Sequence, residues 1–327
     1  MTTVNRTRGW NRRRLAFLGA LIIVPHVLVV YLLFFAPEQL AARKHLNAAD
    51  HKSKAAVEAR LQPVAELFAR ARKGAKPFAE EALSWRGKWA LVKGVMDNGE
   101  SHRAYLAELF ALHVLNTEEL RDVMQSAVRA YLDDVEGYES AMLVGLRIDL
   151  VTLATREGRV TPLLTGEAEF REMYGKLFDQ VARELRADLG VTVAREVGML
   201  VAMEIATQVA LQAAAAAATE MGVGAALLGS GVASTVATLG IGLIISVILD
   251  ELVDALFKEL GYDPAAEIEK RVTESLDKLE AALLYDPGLS FWKKAGSLRG
   301  RMEELHEARS KVRRETVDRL ISEGGIR

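Results

Sequence analysis

Any reaction centre in this 327-residue chain has to be assembled without a cysteine. That excludes disulfides, thiolate nucleophiles, iron–sulfur clusters and cysteine-based zinc sites. Histidines and carboxylates are the next place to look. His306-Glu307 opens a zinc-protease pattern, but Ser310 stands where the second histidine belongs, so the helical pair of imidazoles is missing. Ser290 and Lys293 have the spacing of a serine–lysine acyl-enzyme without its companion motifs. His45, Asp50 and His51 make a loose cluster whose spacings of five and six align poorly on a helix. Asp133, Asp134, Glu136 and Glu139 form an acidic patch that reads as a solvated helix face, since paired catalytic carboxylates need a pocket that raises one pKa. The glycine pairs 222/224, 229/231 and 240/242 lack the rest of a nucleotide fingerprint. No catalytic residue, cofactor or metal site is expected, and the chain reads as non-enzymatic.

The residues with the most informative spacing serve helix packing. Glu204, Gln208 and Gln212 interrupt an otherwise almost uncharged stretch at intervals of four, on one helix face. Six alanines follow, Ala213 to Ala218, and then 29 uncharged residues from Met221 to Leu249. Within these, Gly222, Ala226, Ser230, Ser234, Thr238, Gly242 and Ser246 recur strictly every fourth position. Such a row of small residues lets two helix backbones approach closely. With a turn near Met221, an antiparallel hairpin sets Glu204 against Thr238, Gln208 against Ser234 and Gln212 against Ser230. The long polar side chains then face hydroxyls, which satisfies groups costly to bury alone. Insertion of this hairpin in a bilayer and burial inside a helical domain are both consistent with its composition. In composition alone it resembles the membrane-inserting hairpin of pore-forming colicins.

The element that must position all of this is an anchor. Leu15 to Pro37 is a run of 23 residues without a formal charge, about 34 Å of helix against a hydrocarbon core of about 30 Å. Arg6, Arg8, Arg12, Arg13 and Arg14 precede it with no acid, so the N-terminus is expected in the cytoplasm and residues 38–190 outside. The run is too long for a signal-peptide core and lacks small residues at a cleavage position.

The rest is helical by periodicity, without strand alternation. Val57, Leu61, Val64, Leu67 and Phe68 make a stripe from Lys54 to Ala71 that Pro63 is expected to kink. Glu80 to Met96 places Trp85, Trp89 and Val92 on one face. Asn116 with Glu119 resembles a capping box opening a long helix from Thr117 to Arg156, ended by a loop around Gly158, Pro162 and Gly166. Pro264 to Leu284 carries a seam of Ile268, Val272, Leu276, Leu279 and Leu283. The last helix, about Ser297 to Ser322, is basic on balance but interspersed with acids, and reads as a solvated face of paired charges.

The expected fold class is all-α: an N-terminal transmembrane helix, then an elongated helical bundle with a central hydrophobic Gly/Ala-rich hairpin. The organisation reads as a basic cytoplasmic tail over 1–14, an anchor over 15–37 and an amphipathic helical region over 38–166. A helical region over 167–258 then holds the hairpin at about 191–257, and a C-terminal helical region covers 259–327. A net charge of -2 gives no reason to expect nucleic acid as a partner. The expected partners are the lipid bilayer of the inner (plasma) membrane and other membrane-protein subunits or a second copy. A scaffold or accessory role in a membrane or envelope assembly follows, with membrane insertion or pore formation by residues 197–254 as the alternative.

Overall fold

A computed structural model describes residues 37–87, 89, 100–189, 201–209, 263–284 and 297–323. Every regular element among them is helical, as the periodicity predicts. In chain order these are α1 (Pro37–Ala82), α2 (Glu100–His113), α3 (Thr117–Arg156), the single turn α4 (Pro162–Thr165), α5 (Glu167–Leu189), α6 (201–209), α7 (Pro264–Leu284) and α8 (Leu298–Glu323). Among the described residues no helix is long and apolar enough to cross a membrane. The anchor expected over 15–37, save Pro37 itself, lies outside the described residues. So does the hairpin beyond Val209, with Gln212, Gly222, Ala226, Ser230, Ser234, Thr238, Gly242 and Ser246.

The ends of the helices follow local chemistry. Asn116 caps α3, its Oδ1 accepting the backbone N–H of Glu118 at 2.8 Å and of Glu119 at 3.4 Å. The reciprocal half of a capping box is replaced: Glu119 accepts from Arg70 of α1 at 2.6 Å. Gly158 closes α3 in the left-handed region at φ 65°. The N–H of Arg159 reaches the carbonyl of Ala154 at 2.8 Å and that of Gly158 reaches Thr155 at 3.3 Å, a Schellman closure that favours glycine. Asp263 and Ser297 cap α7 and α8 through the N–H groups of Ala266 and Gly300.

One helix is longer than its sequence suggests. The kink expected at Pro63 does not end α1, which continues through Pro63 and Pro77 to Ala82. Both prolines are exposed, and so are Ala59 and Lys73 four residues before them, so the carbonyls they deprive of a partner can reach water. Beyond the end of α1, Trp85 and Trp89 are both exposed, and Val92 lies outside the described residues.

The chain divides into two compact units, each assembled from separated stretches. The first comprises Met1–Asp50, Glu139–Val181 and Val312–Arg327. Its apolar core draws Leu46 from α1, Met142, Leu146 and Leu150 from α3, Phe170, Tyr174 and Phe178 from α5, and Val312, Val317 and Leu320 from α8. Tyr174 and Phe178 pack with ring centroids 5.9 Å apart.

The second unit comprises His51–Tyr138 and Ala182–Lys311. Here the α1 stripe predicted from spacing is buried in full at Val57, Leu61, Val64, Leu67 and Phe68, as is the whole α7 seam. Phe78 meets Phe110 edge to face at 5.7 Å. Gly74 permits the closest approach, since a Cβ there would lie 1.7 Å from the backbone carbonyl oxygen of His113.

Candidate functional site

Charges that fall inside otherwise apolar helix stripes mark the most unusual place in the first unit. On α1, Asp50 sits one turn from Leu46; on α3, Glu139 lies between Val135 and Met142; on α8, Arg313 follows Val312 and precedes Thr316. Helical spacing makes all three turn inward with their apolar neighbours. Arg313 is completely buried, Glu139 is 1% exposed and Asp50 9%.

The three converge. Arg313 donates from Nη2 to Asp50 Oδ1 at 2.8 Å and from Nη1 to Glu139 Oε1 at 3.4 Å. The other oxygen of Asp50 accepts from Arg314, Nη2 at 2.6 Å and Nε at 3.1 Å. One carboxylate is thus gripped by two consecutive arginines, one buried and one with its side chain 57% exposed. Taking such charges out of water is repaid only by this density of charge-assisted bonds.

This arrangement corrects two expectations. Glu139 does not belong to a solvated acidic face, and α8 does not present only paired surface charges: Arg309, Ser310, Arg313 and Thr316 are all buried. The sequence carries the signal, a charge at a stripe position, but the apolar partner stripes that enclose it come from three distant segments.

The loose cluster of His45, Asp50 and His51 is pulled apart by the helix. Asp50 joins the arginines, His51 is exposed, and His45 turns to α3. His45 Nε2 hydrogen-bonds Asp149 Oδ2 at 2.8 Å, with Lys44 at 3.5 Å from the same oxygen. The bond from His45 holds the Asp149 carboxyl below its ordinary range, assisted by Lys44 and opposed by partial burial. The imidazole fits because residue 145 is glycine; a Cβ there would stand 2.5 Å from His45 Cε1.

In the second unit the acidic patch supplies a staple. Asp134 receives Arg60 Nε at 2.6 Å and Nη2 at 2.7 Å, a bidentate pair that raises the guanidinium pKa. Arg72 reaches Asp277 at 2.7 Å and also Glu280, both on α7. Burial works against its charge, and these hydrogen bonds outweigh it. Glu81 Oε2 accepts from His113 Nε2 at 2.7 Å, while Tyr105 Oη donates to the Glu81 backbone carbonyl. Buried His102 has its pKa lowered by desolvation.

An open groove of about 760 Å³ in this unit is bordered by Arg60, Pro63, Asn116, Glu119, Asp122 and Ser126. Of its charged lining, Arg60 is paired with Asp134 and Glu119 with Arg70. Among the described residues no group of three or more histidines or acids is placed to hold a metal ion.

Of the expected packing row, Glu204 and Gln208 fall in α6. They lie on one face, as their spacing predicts, and Gln208 Nε2 donates to Glu204 Oε1 at 3.1 Å. Glu204 is exposed, while Val201, Ala202, Ile205, Ala206 and Val209 form the buried face. No protein-family model, curated protein or solved structure matches this chain.

Proposed function

We propose that the chain is a membrane-anchored helical scaffold or accessory subunit of a membrane or envelope assembly, with a mechanical rather than a chemical role. One observation carries this reading: 23 uncharged residues, Leu15 to Pro37, stand directly behind five arginines and no acid. The arginines orient the run with its N-terminus in the cytoplasm of the inner membrane and residues 38–190 on the outer side. The body that follows suits a spacer. Its long helices are stapled to one another by ion pairs such as Arg60–Asp134 and Arg299–Glu58. Its partners on this reading are the bilayer, other membrane subunits or a second copy of the chain.

Alkaline extraction of membranes tests the anchor. The full chain stays in the membrane pellet, and deletion of residues 15–36 releases it; a full-length chain that extracts freely overturns the reading. Reporters fused after Glu220 and at the C-terminus then count the remaining spans.

A second reading is favoured by the 29 uncharged residues from Met221 to Leu249 with small residues at every fourth position. It makes this hairpin a membrane-inserting or pore-forming device. It predicts dye leakage from liposomes that Gly242→Leu abolishes, and no leakage with the full chain removes it.

A further inference from the structure

Three contacts fix the way α1 and α3 run past each other in the first unit. Asp50 and Glu139 share Arg313, His45 meets Asp149, and Glu38 meets Arg159 at 3.6 Å. As the residue number falls on α1 it rises on α3, so the two helices are antiparallel. The last turn of α3 and the loop after it therefore return to the first turn of α1. That turn starts at Pro37, where the run of 23 uncharged residues ends.

With the bilayer surface at Pro37, a loop ion-paired to the next residue lies at that surface too. Its exposed chemistry suits the headgroup layer. Val160 in the loop is 43% exposed, and Leu40 in the first turn of α1 is 48% exposed. Arg43 and Arg156 are exposed and make no ion pair or hydrogen bond among the described residues. The acids nearby are already matched, since Arg159 holds both the buried Glu38 and Glu157. An apolar side chain flanked by uncommitted guanidinium groups partitions to the boundary of headgroups and acyl chains, with the charges on lipid phosphate.

We propose that the segment from Arg156 to Pro162 is a second membrane contact, seated in the phospholipid headgroup layer beside the anchor. Val160 enters that layer, Arg43 and Arg156 bind lipid phosphate, and the Arg159–Glu38 pair ties the loop to the anchor's exit. The first unit then stands on the bilayer at two points, which fixes an orientation that a single spanning helix leaves free to swivel. This contact rests on the anchor proposed above, and the two are separable by experiment.

Because the chain has no cysteine, an environment-sensitive fluorophore goes only where one is introduced. Val160→Cys carries it in the loop. Ala141→Cys, exposed and about 22 Å back along α3 from Arg156, is the aqueous control. The full-length chain is reconstituted in liposomes of phosphatidylcholine and phosphatidylglycerol, some of whose lipids carry a nitroxide near the headgroup. The label at 160 is expected to shift its emission to the blue and lose most of its intensity to the nitroxide, and the label at 141 to do neither. Arg43→Glu with Arg156→Glu is expected to abolish most of that quenching, whereas Arg43→Lys with Arg156→Lys keeps it. A label at 160 no more quenched than one at 141, in a chain that alkaline extraction leaves in the pellet, overturns the loop contact and leaves the anchor standing. A chain that extracts freely overturns both. Quenching at 160 that survives the glutamate pair overturns the phosphate binding assigned to the arginines.

Discussion

In the first unit α1 and α3 share buried charge, with Asp50 and Glu139 closing on Arg313. In the second unit the same two helices bury apolar side chains, Val57, Leu61 and Phe68 from α1 and Leu120, Met124 and Tyr131 from α3, and their ion pairs stay at the rim. Arg60 and Arg70 keep side-chain exposures of 41% and 66%. The contrast separates two jobs of a salt bridge. A rim pair sits in water, which already screens it, so it adds little. A buried pair is costly to make and far costlier to break, so it decides which arrangement of helices is allowed.

The glycines of the two units differ in the same sense. Gly145 leaves room for a side chain, the ring of His45, whereas Gly74 leaves room for the backbone carbonyl of His113. A side chain can turn aside, and a helix backbone cannot move without carrying its neighbours along.

The largest expected effect comes from removing the buried cation of the first unit. Arg313→Met takes from Asp50 and Glu139 the buried guanidinium they share, leaving Arg314 on Asp50, and is expected to cost about 3–5 kcal/mol. Chemical denaturation measures it. Adding Asp50→Leu and Glu139→Leu is expected to recover most of the loss, since a buried ion cluster exchanged for apolar side chains is roughly neutral. If the single variant costs no more than a surface pair, the distinction between the units collapses.

Next comes Gly74→Ala, which drives a methyl into backbone and is expected to cost about 3 kcal/mol. Gly145→Ala, whose obstacle is the His45 ring, should cost about 1 kcal/mol. Reversal of that order in thermal melts would show that the His45–Asp149 bond is the stiffer of the two supports.

A smaller effect follows from the buried imidazole of the second unit. Burial lowers the pKa of His102, so the unfolded chain binds a proton more readily than the folded one. The stability this confers is complete above the unfolded value of about 6.5 and is lost as pH falls below it. Melting temperature is therefore expected to drop between pH 7.5 and 5, and to drop less in His102→Gln. Equal slopes for the two proteins would deny His102 that role. Smallest of all is Arg60→Met, at less than about 1 kcal/mol despite its bidentate geometry.

Much of this fold is legible in the residue order. The span of α3, its Asn116 cap, its Gly158 stop and the seam of α7 all follow from local spacing, because helix periodicity and capping are properties of a few neighbouring residues. The continuity of α1 through two prolines is less so, since it depends on which side of the helix faces water.

Sequence by itself determined the helical class, the ends of α3, α7 and α8, the exclusion of cysteine chemistry and the charge-free runs that carry the functional proposal. Tertiary structure alone decided which charges are buried. Asp50, Glu139 and Arg313 each stand in a stripe, but they are 89 and 174 residues apart along the chain. A charge in a stripe is tolerable only when its partner arrives from elsewhere. That arrival is a fact of packing, and no local pattern encodes the distance over which it is satisfied.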